Sequence, residues 1–274
     1  MFSGLLSIPQ AVLLGIVEGI TEFLPVSSTG HLLVVGELIG FGTGSSSTAA
    51  DTYSIAIQFG AILAVLLLYR IRVWSAMKGL VGADADGRAF LIRLIVAFLP
   101  AAFLGVLAGD AMKSALFGPV PVTIAWVVGG VFLLRWKPTV GSVSLHEMPI
   151  RAALIIGCAQ SIALWPGVSR SLVTLVAALA VGLSMSSAIE FSFLLGLITL
   201  SSATALDLTK HGSELVDQFG ILAPAIGLVC AFITAVMAVK WMVGYLESHS
   251  LRFFGWYRLA IGAVSVVLLA TNVL

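Results

Sequence analysis

Six uninterrupted apolar runs dominate this chain, at about 53–69, 89–109, 119–136, 188–206, 219–243 and 253–274. A helix needs about 20 apolar residues to cross a hydrocarbon core roughly 30 Å thick. The runs are continuous rather than alternating, which excludes a transmembrane barrel. Only 10% of the residues are charged and the mean hydropathy is +1.12, whereas a soluble domain carries about 25% charge. The expected fold class is therefore all-α, a polytopic membrane protein. A net charge of +1 gives no electrostatic case for nucleic acid. Cys158 and Cys230 sit in apolar runs and read as buried hydrophobes. No Lys or Arg precedes Arg70, so the start lacks a signal-peptide n-region and reads as part of the mature fold.

Two further apolar regions are broken. Residues 4–40 are interrupted by Pro25 and a polar cluster, and residues 151–186 by Pro166, Gly167 and Arg170. Broken helices at membrane depth are tolerated only inside protein or beside a wet cavity. Basic residues crowd the connections 70–93, 135–151 and 240–258, and are sparse in 36–52, 110–118 and 207–218. The positive-inside rule makes the first set cytoplasmic. Each broken region must then enter and leave on one side. The expectation is an inverted-topology repeat, each unit one re-entrant helical hairpin plus three transmembrane helices: six spans and two re-entrant hairpins. The chain reads as a single integral membrane domain, 1–274, with pseudo-repeats at about 1–137 and 145–274. Glu18 precedes Ser27 as Gln160 precedes Ser169, and "EGITEFLPVSS" and "QSIALWPGVSR" share an aromatic, a proline and a Val-Ser step. In such folds the site lies near the midplane, where the broken elements meet.

Those breaks hold the polar groups. Glu18 and Glu22 are one helical turn apart on one face. Ionisable residues in apolar spans point to function, and two stacked carboxylates suit a divalent cation (Mg or Ca) or one held proton. Pro25 ends that helix. Ser27, Ser28 and Thr29 then supply hydroxyls and a cap for a second half-helix, and His31 follows as a base or nucleophile. In "WPGVSRSLVT", Arg170 is surrounded by Ser169, Ser171 and Thr174, a combination that suits phosphate. Gln58 and Glu190 lie within spans and line a cavity or serve as interhelical hydrogen-bond partners. Gly15 and Gly19 suit close helix packing. Asp207 and Lys210 read as membrane-edge residues, and His146, His211 and His249 as solvated loop residues. The tryptophans and Tyr257 read as interfacial anchors. Together these groups suit phosphoryl chemistry on a substrate reached from the membrane.

"EGITEFLPVSSTGHL" and "PGVSRSLVT" resemble the two signature regions of the bacterial undecaprenyl pyrophosphate phosphatase family, the bacitracin-resistance type. "AIQFGAILAV" and "EFSFLLGLITLSSATALDL" resemble further family segments, so the similarity covers nearly the whole chain. The resemblance implies hydrolysis of a polyprenyl pyrophosphate lipid to the monophosphate carrier of cell-wall synthesis, with bacitracin tolerance as a consequence. It also implies a divalent cation, membrane lipids as surroundings, and a site opening to the outer face of the bacterial cytoplasmic membrane. Glu18 and Glu22 would handle metal or proton chemistry. Ser28, or Ser27, or His31 would be nucleophile or base; the arrangement adopted here has Ser28 attacking with His31 assisting. Arg170 would clamp the pyrophosphate, aided by Ser169, Ser171 and Thr174. A homodimer is compatible with this reading. The resemblance departs at Leu172, where the family usually carries a small residue, and in the Gly/Ser/Thr-rich loop 41–52.

A lipid-phosphate transporter or flippase on the same inverted repeat is the main rival. It needs charge recognition but no nucleophile beside a carboxylate pair. The membrane acid-phosphatase type needs a further motif histidine downstream, and only His211 and His249 follow Arg170. A scaffold or receptor would leave the buried ionisable groups unexplained.

Overall fold

A backbone crossing lipid must satisfy its own N–H and C=O groups, which leaves helices as the solution for runs of this kind. The computed structural model describes residues 6–41, 47–137 and 140–274. Apart from one isolated bridge between Val143 and Leu183, its described regular structure is helical. In chain order the helices are α1 (Ile8–Thr21), α2 (Ser28–Leu38), α3 (Ser47–Leu68), α4 (Arg70–Leu80), α5 (Ala85–Leu116) and α6 (Pro119–Arg135). They continue with α7 (Ile150–Gln160), a 3-10 turn (Ser161–Leu164), α8 (Arg170–Ala180), α9 (Met185–Phe219), α10 (Leu222–Leu246) and α11 (Arg252–Ala270). Within α3, α5, α9, α10 and α11 lie five segments long and apolar enough to cross a membrane. The chain is thus an all-helical, multi-pass membrane protein. The run at 119–136 forms the 17-residue α6, about 25 Å long at 1.5 Å per residue and short of a full hydrocarbon core.

Several expectations change here. The 70–93 connection contains α4 and the first turns of α5. His211 lies within α9, which runs on through Asp207 and Lys210 to Phe219. Cys158 is exposed, because α7 turns it away from its neighbours. Glu190 binds Arg72 at 2.6 Å, tying α9 to α4, so it serves as an interhelical partner. The Gly/Ser/Thr-rich stretch 41–52 falls largely outside the described residues.

The two broken regions adopt matching shapes. The first arm, α1, opens with a Ser7–Gln10 capping box and ends before Pro25. The second, α7 with its 3-10 turn, ends before Pro166. Each tip then passes through a serine with positive φ: Ser27 at 74° and Ser169 at 77°. Such a conformation costs about 1–3 kcal/mol in a non-glycine residue and persists only where its surroundings impose it. Each serine caps the helix that follows, Ser27 Oγ accepting from Gly30 N at 3.4 Å and Ser169 Oγ from Leu172 N at 3.3 Å.

Glycines let these broken arms sit deep. A Cβ on Gly15 would fall 2.3 Å from Gly227 O, and one on Gly19 would fall 2.3 Å from Ala231 O. The small-xxx-small face of α1 thus lies directly on the backbone of α10. Glu18 and Glu22 lie beside that face, so seating α1 deep against α10 also buries its carboxylates.

Candidate active site

The tips of the two broken regions meet at a cavity of about 170 Å³, lined by Glu22, Ser27, Ser28, Thr29, Gln58, Ser169 and Arg170 among others. At its centre Glu22, buried at 7% exposure, bridges both halves. One of its oxygens accepts from the Ser28 hydroxyl. The other accepts from Arg170 Nη2 at 3.1 Å. This ion pair joins residues 148 positions apart and is largely desolvated, so removing either partner leaves a buried charge uncompensated.

Arg170 is held through both terminal nitrogens, while its buried Nε has no partner. Its Nη1 donates to Ser192 O at 3.2 Å, and its guanidinium lies 5.5 Å from the Phe23 ring centroid. Beneath it lies Gly196, where a Cβ would come 2.2 Å from Nη1. Ser171 and Thr174 sit behind the cavity wall. Ser171 donates to Leu24 O at 2.8 Å, and Thr174 bonds to Arg170 O and to the Ser192 hydroxyl. These two residues join the tips to each other and to α9.

Four consecutive carbonyls of the first tip each receive a side-chain donor. Leu24 O takes Ser171 Oγ at 2.8 Å, and Pro25 O takes Arg258 Nη1 at 3.4 Å. Val26 O takes Trp126 Nε1 at 2.9 Å, and Ser27 O takes His31 Nδ1 at 2.6 Å. The donors come from α8, α11, α6 and α2. Arg258 also donates to Ala125 O at 2.8 Å and Gly167 O at 2.9 Å, so one guanidinium grips both tips. Each net hydrogen bond contributes about 0.5–1.5 kcal/mol, enough in sum to impose the strained Ser27.

His31 does not reach Ser28. Its two nitrogens go to Ser27 O and, at 2.8 Å, to Tyr257 Oη. Its ring packs edge-on against Trp126, 5.1 Å between centroids.

Glu18 is fully buried, stacked one turn before Glu22, and both of its oxygens lack a hydrogen-bond partner. A buried carboxylate in that state needs a proton or a cation. Oxygen donors alone suit a hard divalent cation such as Mg or Ca. Among the described residues no three His, Cys, Asp or Glu side chains converge, so water or substrate oxygens would complete the shell.

Residues 11–264 match the family described as Bacitracin resistance protein BacA. The chain belongs to the BacA family. Its relatives include an undecaprenyl-diphosphatase of Sorangium cellulosum (strain So ce56), 44% identical over 262 residues, covering 93% of this chain and 84% of the relative. One from Rhodopseudomonas palustris (strain HaA2) is 42% identical over 266 residues, covering 95% and 97%. One from Nitrosomonas europaea is 42% identical over 259 residues, covering 93% and 92%.

In this BacA chain the residues that reading by motif missed are Arg258, Trp126, Tyr257 and Gly196. Trp126 is not an interfacial anchor: it has no exposed surface and donates to the first tip, while Tyr257, 38% exposed, binds the histidine of that tip through its hydroxyl. Arg258, counted with a basic loop, is fully buried within α11. A signal was present, since Arg258 falls inside the apolar run 253–274, where an arginine points to function by default.

Proposed function

We propose that the chain hydrolyses undecaprenyl pyrophosphate to undecaprenyl phosphate and inorganic phosphate, recycling the lipid carrier of cell-wall synthesis and conferring bacitracin tolerance. Membership of the BacA family and the undecaprenyl-diphosphatases among its relatives support this reading. The observation that carries it is Glu22 held between the Ser28 hydroxyl and the Arg170 guanidinium at a buried cavity.

Ser28 is the nucleophile. Its oxygen attacks the terminal phosphorus as its proton passes to Glu22 Oε2, and the anhydride P–O bond breaks to release undecaprenyl phosphate. Water then cleaves the phosphoserine and the proton returns to the serine oxygen. General-base catalysis of this kind is worth about 10²–10⁴-fold. Arg170 neutralises the charge on the transferred group. Thr29, Ser169 and Gln58 offer hydrogen bonds to phosphate oxygens from the cavity wall. Glu18 with Glu22 would hold the divalent cation, which when bound supplies further charge neutralisation at the pyrophosphate. Every group used comes from one chain. A lipid-phosphate transporter would need the arginine but not a serine hydrogen-bonded to a carboxylate.

The site opens to the outer face of the bacterial cytoplasmic membrane. A second cavity of about 480 Å³ shares Thr29 and Gln58 with the first and is also lined by Phe41 and Phe117. Those residues flank the connections poor in basic residues. The two broken regions act as re-entrant hairpins of an inverted repeat; the paired strained serines and the alternation of basic connections support this.

The test is phosphate release by purified protein from undecaprenyl or farnesyl pyrophosphate. Release should fall at least about 100-fold in Glu22→Ala and in Arg170→Ala. Normal turnover in both variants would remove the proposed site.

A further inference from the structure

We infer that His31 is a positioning residue, whose Nδ1–H pins the Ser27 carbonyl so that Ser28 is presented to Glu22; the inference rests on the phosphatase reading above. The Ser27 carbonyl can only accept, so at 2.6 Å the Nδ1 of His31 carries the proton. Nε2 then faces the Tyr257 hydroxyl at 2.8 Å, which donates to it. If the ring is protonated instead, Nε2 donates to the phenol oxygen and Nδ1 still donates to Ser27 O. In either state no nitrogen is left for proton abstraction from Ser28 or for attack on phosphorus.

The surroundings agree. His31 is 6% exposed and lines neither the small cavity nor the adjoining one. The Trp126 edge and the nearly parallel Tyr257 ring confine it from two sides. It is one of four donors on the carbonyls of residues 24–27, and the one nearest the strained serine. Ser27 at φ 74° sets the direction in which Ser28 leaves the tip. The proton acceptor for Ser28 is already in place in Glu22.

Tyr257 completes the arrangement from α11. Its hydroxyl occupies Nε2 and stops the ring from rotating.

Two substitutions separate the roles. In His31→Asn the amide N–H₂ falls near the position of Nδ1 and can donate to Ser27 O, but asparagine is neither base nor nucleophile. In His31→Gln the amide reaches the position of Nε2 instead. The expected result is that His31→Asn keeps kcat within about tenfold of wild type, while His31→Gln and His31→Ala fall about 100-fold, the scale of a 1 Å misplacement. Should His31→Ala not accumulate as folded protein, the Asn and Gln pair still decides. Asn falling as far as Gln would overturn the inference, because a chemical role is lost in both. A second readout needs no turnover: nitrogen NMR of histidine-labelled protein, with His31 assigned by its loss in His31→Asn, should show Nδ1 protonated. A Nδ1 without its proton would equally overturn it. Wild-type protein that releases no phosphate but shows the Nδ1 proton would remove the phosphatase reading and leave the clamp.

Discussion

Gly196→Ala is the sharpest test of the geometry, because glycine has no chemistry of its own to lose. It lies within α9 under the Arg170 guanidinium, and an added Cβ would sit 2.2 Å from Nη1. Ordinary contact begins at 3.4 Å, so the guanidinium must move by about 1.2 Å, a displacement on the scale that costs about 10²-fold in rate. That corresponds to about 2.7 kcal/mol of transition-state stabilisation. The clash is with the end of a flexible side chain, not with backbone, so the helix need not move. Alanine is also the better helix former by about 0.5–1 kcal/mol, and thermal stability should hold. The assay is kcat/KM for phosphate release together with the unfolding temperature in the same detergent. Gly244→Ala on α10, where a Cβ would meet nothing within 4 Å, serves as control and should match wild type in kcat/KM. Full kcat/KM in folded Gly196→Ala would refute the placement of Arg170, and with it the ion pair to Glu22.

Excess chelator should abolish phosphate release, and Glu18→Gln should raise the cation concentration needed for half-maximal rate; undiminished turnover in chelator would remove the metal role. Glu190→Gln breaks the partly buried pair with Arg72, whose side chains are 29% and 23% exposed, and should cost more than the roughly 1 kcal/mol of a surface pair, with kcat unchanged. Asp84 opens α5, accepting from Gly87 N and from the Ser75 hydroxyl, and these bonds hold its carboxyl below the usual 3.8. Its folded value being depressed, the stability it adds is present above the usual value and fades as pH falls through the folded one. Unfolding temperature measured across that acid range should therefore fall less steeply in Asp84→Asn than in wild type.

Much of the architecture could be read from apolar runs and their interruptions, because membrane-crossing backbone has few solutions. The meeting of Glu22 with Arg170 followed from charge alternation, which implied that two breaks face each other. What escaped was the support behind that meeting. Arg258 looked like one more basic residue after Arg252, since a cation surrounded by carbonyls instead of carboxylates leaves no charge pattern. Its acceptors, Pro25, Ala125 and Gly167, are main-chain groups that any residue type would supply. His31 beside hydroxyls suggested a base by its neighbours in sequence; its direction depends on Tyr257, 226 residues away. The helix α4 was hidden because its charges read as a loop.

The four pinned carbonyls of the first tip bear on biogenesis. Two of the groups that fix this tip and its histidine, Arg258 and Tyr257, belong to α11, which is made after the other described helices. The carboxylates and the serine are made early, but they reach working geometry only when α11 docks. A nascent chain halted before residue 252 would carry the reacting groups without the mould that shapes them, so hydrolysis should wait for α11 to dock.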